Sequence, residues 1–345
     1  MGNRHKKIDK EKSKNSNKNN KENLENNDNN NPNNENKNNY YKDKFKFVRF
    51  LNEQHRKVIN VSLLNDGRIC TCHKYDIYIY NKNFEVELII PLGTCHYQIQ
   101  LKNNLLVTGS GAVNIIELKS NNTYSEIQNI PEEASILSII EYLDSNFIIG
   151  LQNGDIKIYK MNQKTKLYEN TSKFSNKINS LVSLCLINKH LFASAFSDIH
   201  SVKFYDYMNE EISLRASINN IQCGANHKTT CLFNDILIVG GQRGIAFYLI
   251  DLKKKKFQIL SIIKGFKILE VNSIIKLKHS NKILVGLHPE GGFNNLYEFK
   301  YENNELIKTR DLGVSLGFDA IYGIAELEGK KICYGSYNGK TLIIK

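Results

Sequence analysis

Seven times, from about Val58 onward, one phrase returns: a short apolar strand, a turn, a second apolar strand, a polar turn, and a third strand ending in an aromatic or aliphatic residue. If the first strand of each unit begins near Val58, Tyr97, Ile136, Ile178, Thr229, Val271 and Ile321, successive units are 39, 39, 42, 51, 42 and 50 residues apart. A period of about 40–45 residues with four short strands per unit is that of a β-propeller blade. The spacing predicts an all-β, seven-bladed β-propeller. Six or eight blades fit less well, and eight would require 211–228 to hide a degenerate unit. Such a ring places binding loops around a channel without saying which partner they hold.

The turn chemistry agrees with the period. Asn65-Asp66-Gly67 separates the first two strands of blade one, and Asn153-Gly154 separates the second and third strands of blade three. Asp-Gly and Asn-Gly supply the positive φ of a tight hairpin. In the third strand of blade three, Ile156-Lys157-Ile158-Tyr159 alternates with the period of two of a half-buried strand. Blade seven has only three strand segments, at 322–327, 331–335 and 341–345. An open ring would leave a bare sheet edge and an uncovered apolar face. The orphan segment Phe45–Leu51, just ahead of blade one, is the expected fourth strand of blade seven. Its phenylalanines and Leu51 are expected to be buried at the closure.

Residues 1–43 are expected to lie outside the ring, which would occupy 44–345. The stretch from Lys14 to Asn39 is mostly Asn, Lys and Glu and has too little apolar surface to offset the entropy of ordering, so a disordered tail is predicted. The formal net charge of the chain is +12. Because Lys is accompanied by heavy Asn, Ile and Tyr usage, the charge reads as solvated surface, and nucleic acid is not expected as a partner. The seven cysteines are scattered through strand patterns and read as reduced core residues. No apolar run approaches the roughly 18 residues of a membrane span, and no signal peptide opens the sequence, so a cytoplasmic location is expected.

The register, the Gly turns, the aromatic ends of the third strands and the N-terminal strand completing the last blade together resemble the WD40-type propellers. The resemblance is structural. The family's Trp-Asp pair has its nearest counterparts in Tyr205-Asp206 and in the bare aromatics Tyr80, Tyr159, Tyr248 and Phe299, and the chain has no tryptophan. Without the Gly-His pair that precedes the first strand in the family, its Asp-His-Ser-Trp hydrogen-bond network is transferred to no blade. The resemblance implies a non-catalytic scaffold.

No phosphate-binding Gly loop, nucleophile elbow, H-E-x-x-H pair or EF-hand loop occurs, so no enzymatic activity and no cofactor are expected. Cys70-Thr71-Cys72-His73 with Cys95-His96, and Cys223, His227 and Cys231, lack the spacing of a closed zinc site, and no metal is assigned. Partner-binding candidates sit on the top rim, where the fourth-to-first and second-to-third strand connections gather: His227, Arg243, Phe293, Phe318 and Tyr337. On the opposite rim Lys253, Lys254, Lys255 and Lys256 form a basic hairpin tip that could touch acidic polymer or lipid. The expected function is a protein–protein interaction scaffold that uses its top rim within an intracellular assembly, with other proteins or peptides as partners. The alternative is a peripheral membrane protein. It would use Gly2 as a myristoylation site beside a tail with eight Lys or Arg between Arg4 and Lys21 against Asp9 and Glu11.

Overall fold

A computed structural model describes residues 47–53, 57–176, 181–224, 228–253, 257–264, 268–278, 280–289, 295–312 and 319–345. The tail 1–43, Gly2 within it, and Phe45 lie outside these residues. The described chain forms seven four-stranded antiparallel sheets, each built from consecutive strands except the last. That last blade takes Ile321–Glu326, Ile332–Ser336 and Lys340–Ile344 from the C-terminus and Phe47–Glu53 as its outer strand. The register is Phe47 with Ile344, Arg49 with Ile343 and Phe50 with Leu342.

Burial on both faces of the sheets follows from the alternation of side chains along the strands. In blade one, Ile77 and Ile79 join a cluster with Leu106 and Ile116 of blade two, while Tyr78 and Tyr80 join one with Cys333 and Ile343 of blade seven. Seven apolar clusters arise in this way among the described residues, one at each junction between neighbouring blades. The aromatics that end the third strands fill these junctions, with Tyr80, Tyr159, Tyr205, Tyr248 and Phe299 all at most 2 % exposed.

Close approach of the blades depends on small residues. The second strands of five blades carry glycine, at Gly109, Gly150, Gly240, Gly286 and Gly335, opposite an aliphatic residue at or near the start of the next inner strand. A Cβ at Gly150 would stand 2.2 Å from Leu181, and one at Gly335 would stand 2.2 Å from Val58. The turn glycines behave as their dipeptides require, with φ of 88° at Gly67 and 86° at Gly154.

Three expectations need correction. The closing strand contributes much less apolar burial than its composition suggests. Phe47 and Phe50 are 46 % and 38 % exposed and rest mainly on one another, with ring centroids 4.8 Å apart. Of the described apolar residues in this strand, Leu51 is the one packed into the blade seven–blade one cluster. An outer strand has one face toward solvent, so the closure relies on its ladder, on Leu51, and on Arg49, whose Nη1 donates to the Asn83 carbonyl of blade one at 3.1 Å.

The inner strands, read from the repeat as short apolar strands, carry buried Asn60, Gln98 and Asn272. Two of these stitch blades one and two: Asn60 Nδ2 donates to the Gln98 carbonyl at 3.0 Å, and Gln98 Nε2 donates to Ser62 Oγ at 2.9 Å.

The cysteines are not all reduced, because Cys72 and Cys95 form a disulfide. The other five are buried thiols. Burial pushes Cys70 and Cys223 up to about 12 and Cys231 to about 11, so they are un-ionised at neutral pH. The segment that could have concealed an eighth blade is the fourth strand of blade four, Glu211–Asn219, followed by a bridge from Cys223 to Gly241.

Two stability outcomes follow. A chain beginning at Asn52 lacks most of the closing strand and should melt about 5 °C or more below the full chain in calorimetry, since each kcal/mol lost moves a domain this large by a few degrees. Gly323→Ala should cost about 1–3 kcal/mol in urea unfolding. Its Cβ would stand 2.5 Å from the Val61 backbone nitrogen and 2.8 Å from the Asn60 carbonyl carbon, which side-chain rotation cannot relieve.

Candidate functional site at the top channel mouth

Each inner strand begins at the top of the ring, and there the chain places its least expected side chains. Lys57 precedes the inner strand of blade one, His96 that of blade two, and Lys228 that of blade five. Glu270 lies near the start of the blade six inner strand, Ile268–Lys276, and Tyr322 near the start of the blade seven inner strand.

The Lys57 ammonium stands 3.9 Å from the centroid of the Tyr322 ring and 5.2 Å from that of Tyr337. The two rings are 6.0 Å apart and inclined by 37°. Tyr337 is 54 % exposed, yet its backbone is held. Its N–H donates to the Ala320 carbonyl at 2.8 Å, and the next N–H, of Asn338, donates to Asp319 Oδ1 at 3.1 Å. Asp319 is itself 2 % exposed, and its carbonyl accepts from Asn295 Nδ2. An aromatic on a pinned turn at a channel rim is a low-entropy contact surface.

Mouth electrostatics are dominated by burial. Burial holds the Lys57 ammonium below its usual range, with Glu270 acting in the opposite direction. Burial also depresses His96, and the positive charge of Lys57 adds to the effect. The Tyr322 phenol is pushed up to about 12 by burial first, and then by Glu270, Tyr337 and Asp319. His288 Nδ1 stands 3.9 Å from Glu270 Oε1. Glu270 in turn bridges through its backbone to Gln242, the neighbour of Arg243.

Of the residues expected on the top rim, the structure brings Tyr337 into this cluster and places Arg243 on an exposed turn at its edge, with φ of 54°. His227, Phe293 and Phe318 lie outside the described residues. Lys57, Tyr322 and Glu270, which complete the cluster, were not anticipated. Each is an ordinary residue at a strand start, and only the ring geometry juxtaposes positions 57, 270, 322 and 337. On the opposite rim Lys253 is an exposed side chain 3.8 Å from Asp235, while Lys254, Lys255 and Lys256 lie outside the described residues. A groove of about 690 Å³ on that rim, between blades six and seven, is lined by Leu277, Leu284, Leu327 and Ile332.

The loops that enter blades are anchored by the third-strand aromatics. Glu132 accepts from the Tyr159 hydroxyl and, at 2.7 Å, from Lys157 Nζ. Asn176 Oδ1 accepts from Tyr205 at 3.1 Å and from Lys203 at 3.2 Å, and the Tyr248 hydroxyl accepts from the Gln222 N–H at 3.0 Å. Tyrosine hydroxyls here tie down top loops in a chain without tryptophan. Asp206, beside Tyr205, instead pairs with Arg215 at 2.9 Å. No group of three or more His, Cys, Asp or Glu among the described residues is arranged to hold a metal ion.

Against known proteins, no family model matches the chain, and no curated protein matches it. Solved structures do. The WD40 β-propeller domain of Doa1 superposes with a TM-score of 0.67 at 15 % identity, covering 87 % of this chain and 96 % of that one. The WD40 repeats of RRP9 superpose with a TM-score of 0.68 at 13 % identity, covering 88 % and 100 %. The fold is that of a divergent WD40-type seven-bladed propeller.

The disulfide joins the second strand of blade one to the connection that delivers His96 to the mouth, closing a loop with a sequence separation of 23. Alkylation of the unfolded chain before and after reduction should therefore differ by two thiols. Cys95→Ser should lower stability by about 3 kcal/mol in denaturant titration under non-reducing conditions.

Proposed function

We propose that this protein is a non-catalytic interaction scaffold that grips an extended peptide or a partner domain at the top mouth of its channel, within a larger assembly. The observation that carries the reading is Tyr337, more than half exposed on a doubly hydrogen-bonded turn and backed by Tyr322 and Lys57. Aromatic and Arg side chains on a rigid, partly desolvated platform are the residue types that dominate interface energies. Arg243, on the adjoining turn of blade five, extends the same surface.

The test is affinity capture with the purified full chain as bait, read by quantitative mass spectrometry. Tyr337→Ala and Arg243→Ala should each reduce capture of a specific partner about tenfold, equivalent to roughly 1–2 kcal/mol, while the melting temperature is unchanged. A double variant that keeps its melting temperature and every partner overturns the assignment of the top mouth.

A further inference from the structure

Many half-buried cations elsewhere in the described structure are neutralised by acids, whereas Lys203 rests on Asn176 and the Phe196 ring. Arg68 meets Asp66 at 2.8 Å and Glu87 at 3.2 Å. Lys157 meets Glu132 at 2.7 Å, Lys160 meets Glu210 at 2.9 Å, and Lys282 meets Glu298 at 2.9 Å. The lysines of the top mouth have no such acid. Among the described residues, no carboxylate lies within ion-pair distance of Lys57, Lys228 or Arg243. Glu270, the acid that acts on Lys57, does so from beyond that distance and stands 3.9 Å from His288 Nδ1. Both lysines are only partly exposed, and burial makes both ammonium groups less willing to hold their proton. A half-desolvated ammonium with unmet donors is costly, and an incoming anion removes that cost.

The segments that carry the three cations are all tied to the blade six inner strand. Lys228 bridges to Ser273 of the blade six inner strand, Gln242 beside Arg243 bridges to Glu270 of the same strand, and Glu270 acts on Lys57 and Tyr322. Lys57 is also pre-positioned, since the Tyr322 ring fixes its ammonium and leaves its N–H groups available. The net charge of +12 draws acidic chains toward such a mouth.

We infer that the top mouth is a receptor for an extended acidic peptide, whose Asp or Glu carboxylates pair with Lys57, Lys228 and Arg243 while its backbone crosses the Tyr337 ring. This inference rests on the scaffold reading and narrows its partner class.

The probe is a fluorescein-labelled twelve-residue peptide alternating Glu with Gly and Ser, alongside its Gln and Lys counterparts. Binding to the full chain is measured by fluorescence polarisation at low and at physiological salt. The Glu peptide should bind at least tenfold tighter than the Gln peptide and should weaken with salt. Lys57→Met and Lys228→Met, which keep the aliphatic stem, should each weaken it about tenfold. Lys57→Arg should retain binding, and Lys330→Met on the opposite rim should leave it unchanged. Melting temperatures of all variants report folding, and the charge-retaining Lys57→Arg separates lost charge from lost packing.

Equal binding of the Glu and Gln peptides, or full binding by both methionine variants, overturns the inference. So does capture of phosphatidylserine vesicles or of single-stranded RNA without the Glu peptide. If Tyr337→Ala abolishes partner capture while the methionine variants capture normally, the interface stands and its acidic specificity falls.

Discussion

The structure depends on the packing of each blade face against its neighbour. Every sheet has two apolar faces, and neither can be left in water, so no blade is stable alone and the series has to close on itself. Closure explains the clusters that span each junction, the glycines that let a second strand meet the next inner strand, and the use of a strand from the far end of the chain in the last blade. Gly323 against the Asn60–Val61 backbone marks how close the blade seven–blade one junction is drawn.

Once the ring is closed, the loops have little freedom. Glu132, Asn176 and Gln222, each on a connection entering a blade, are bound by that blade's own tyrosine. These hydrogen bonds put polar anchors exactly where the top surface must be rigid, and they do so with phenol hydroxyls at the positions where the resemblance would place indoles. A binding surface held in this way loses little conformational entropy when a partner arrives. The lateral surface is different. Its outer strands expose scattered apolar residues such as Val86, Ile89, Ile127 and Ile307, the ordinary condition of a strand with one solvated face.

The mouth is where the local rules are broken. Lysines at 57 and 228 stand partly buried with no acid at ion-pair distance among the described residues, a tyrosine is presented to solvent, and a disulfide braces the approach to His96. Such departures are informative because local rules are most often broken where a chain builds a site.

Much of the architecture was legible in the amino-acid sequence. A period near 40 residues, the Asp-Gly and Asn-Gly hairpins and a missing final strand implied the blade count and the N-terminal closure, because strand alternation and turn geometry are local properties. The burial of Tyr80, Tyr159 and Tyr205 followed from their place at the ends of third strands. Other features required the folded ring. Phe47 and Phe50 are apolar but face solvent, since an outer strand has one covered face, and hydrophobicity alone does not say which residues lie on it. Cys72 and Cys95 meet because a blade folds the connection back onto its second strand. Lys57, Glu270, Tyr322 and Tyr337 come from opposite ends of the domain, and their juxtaposition exists only once the last blade lies against the first.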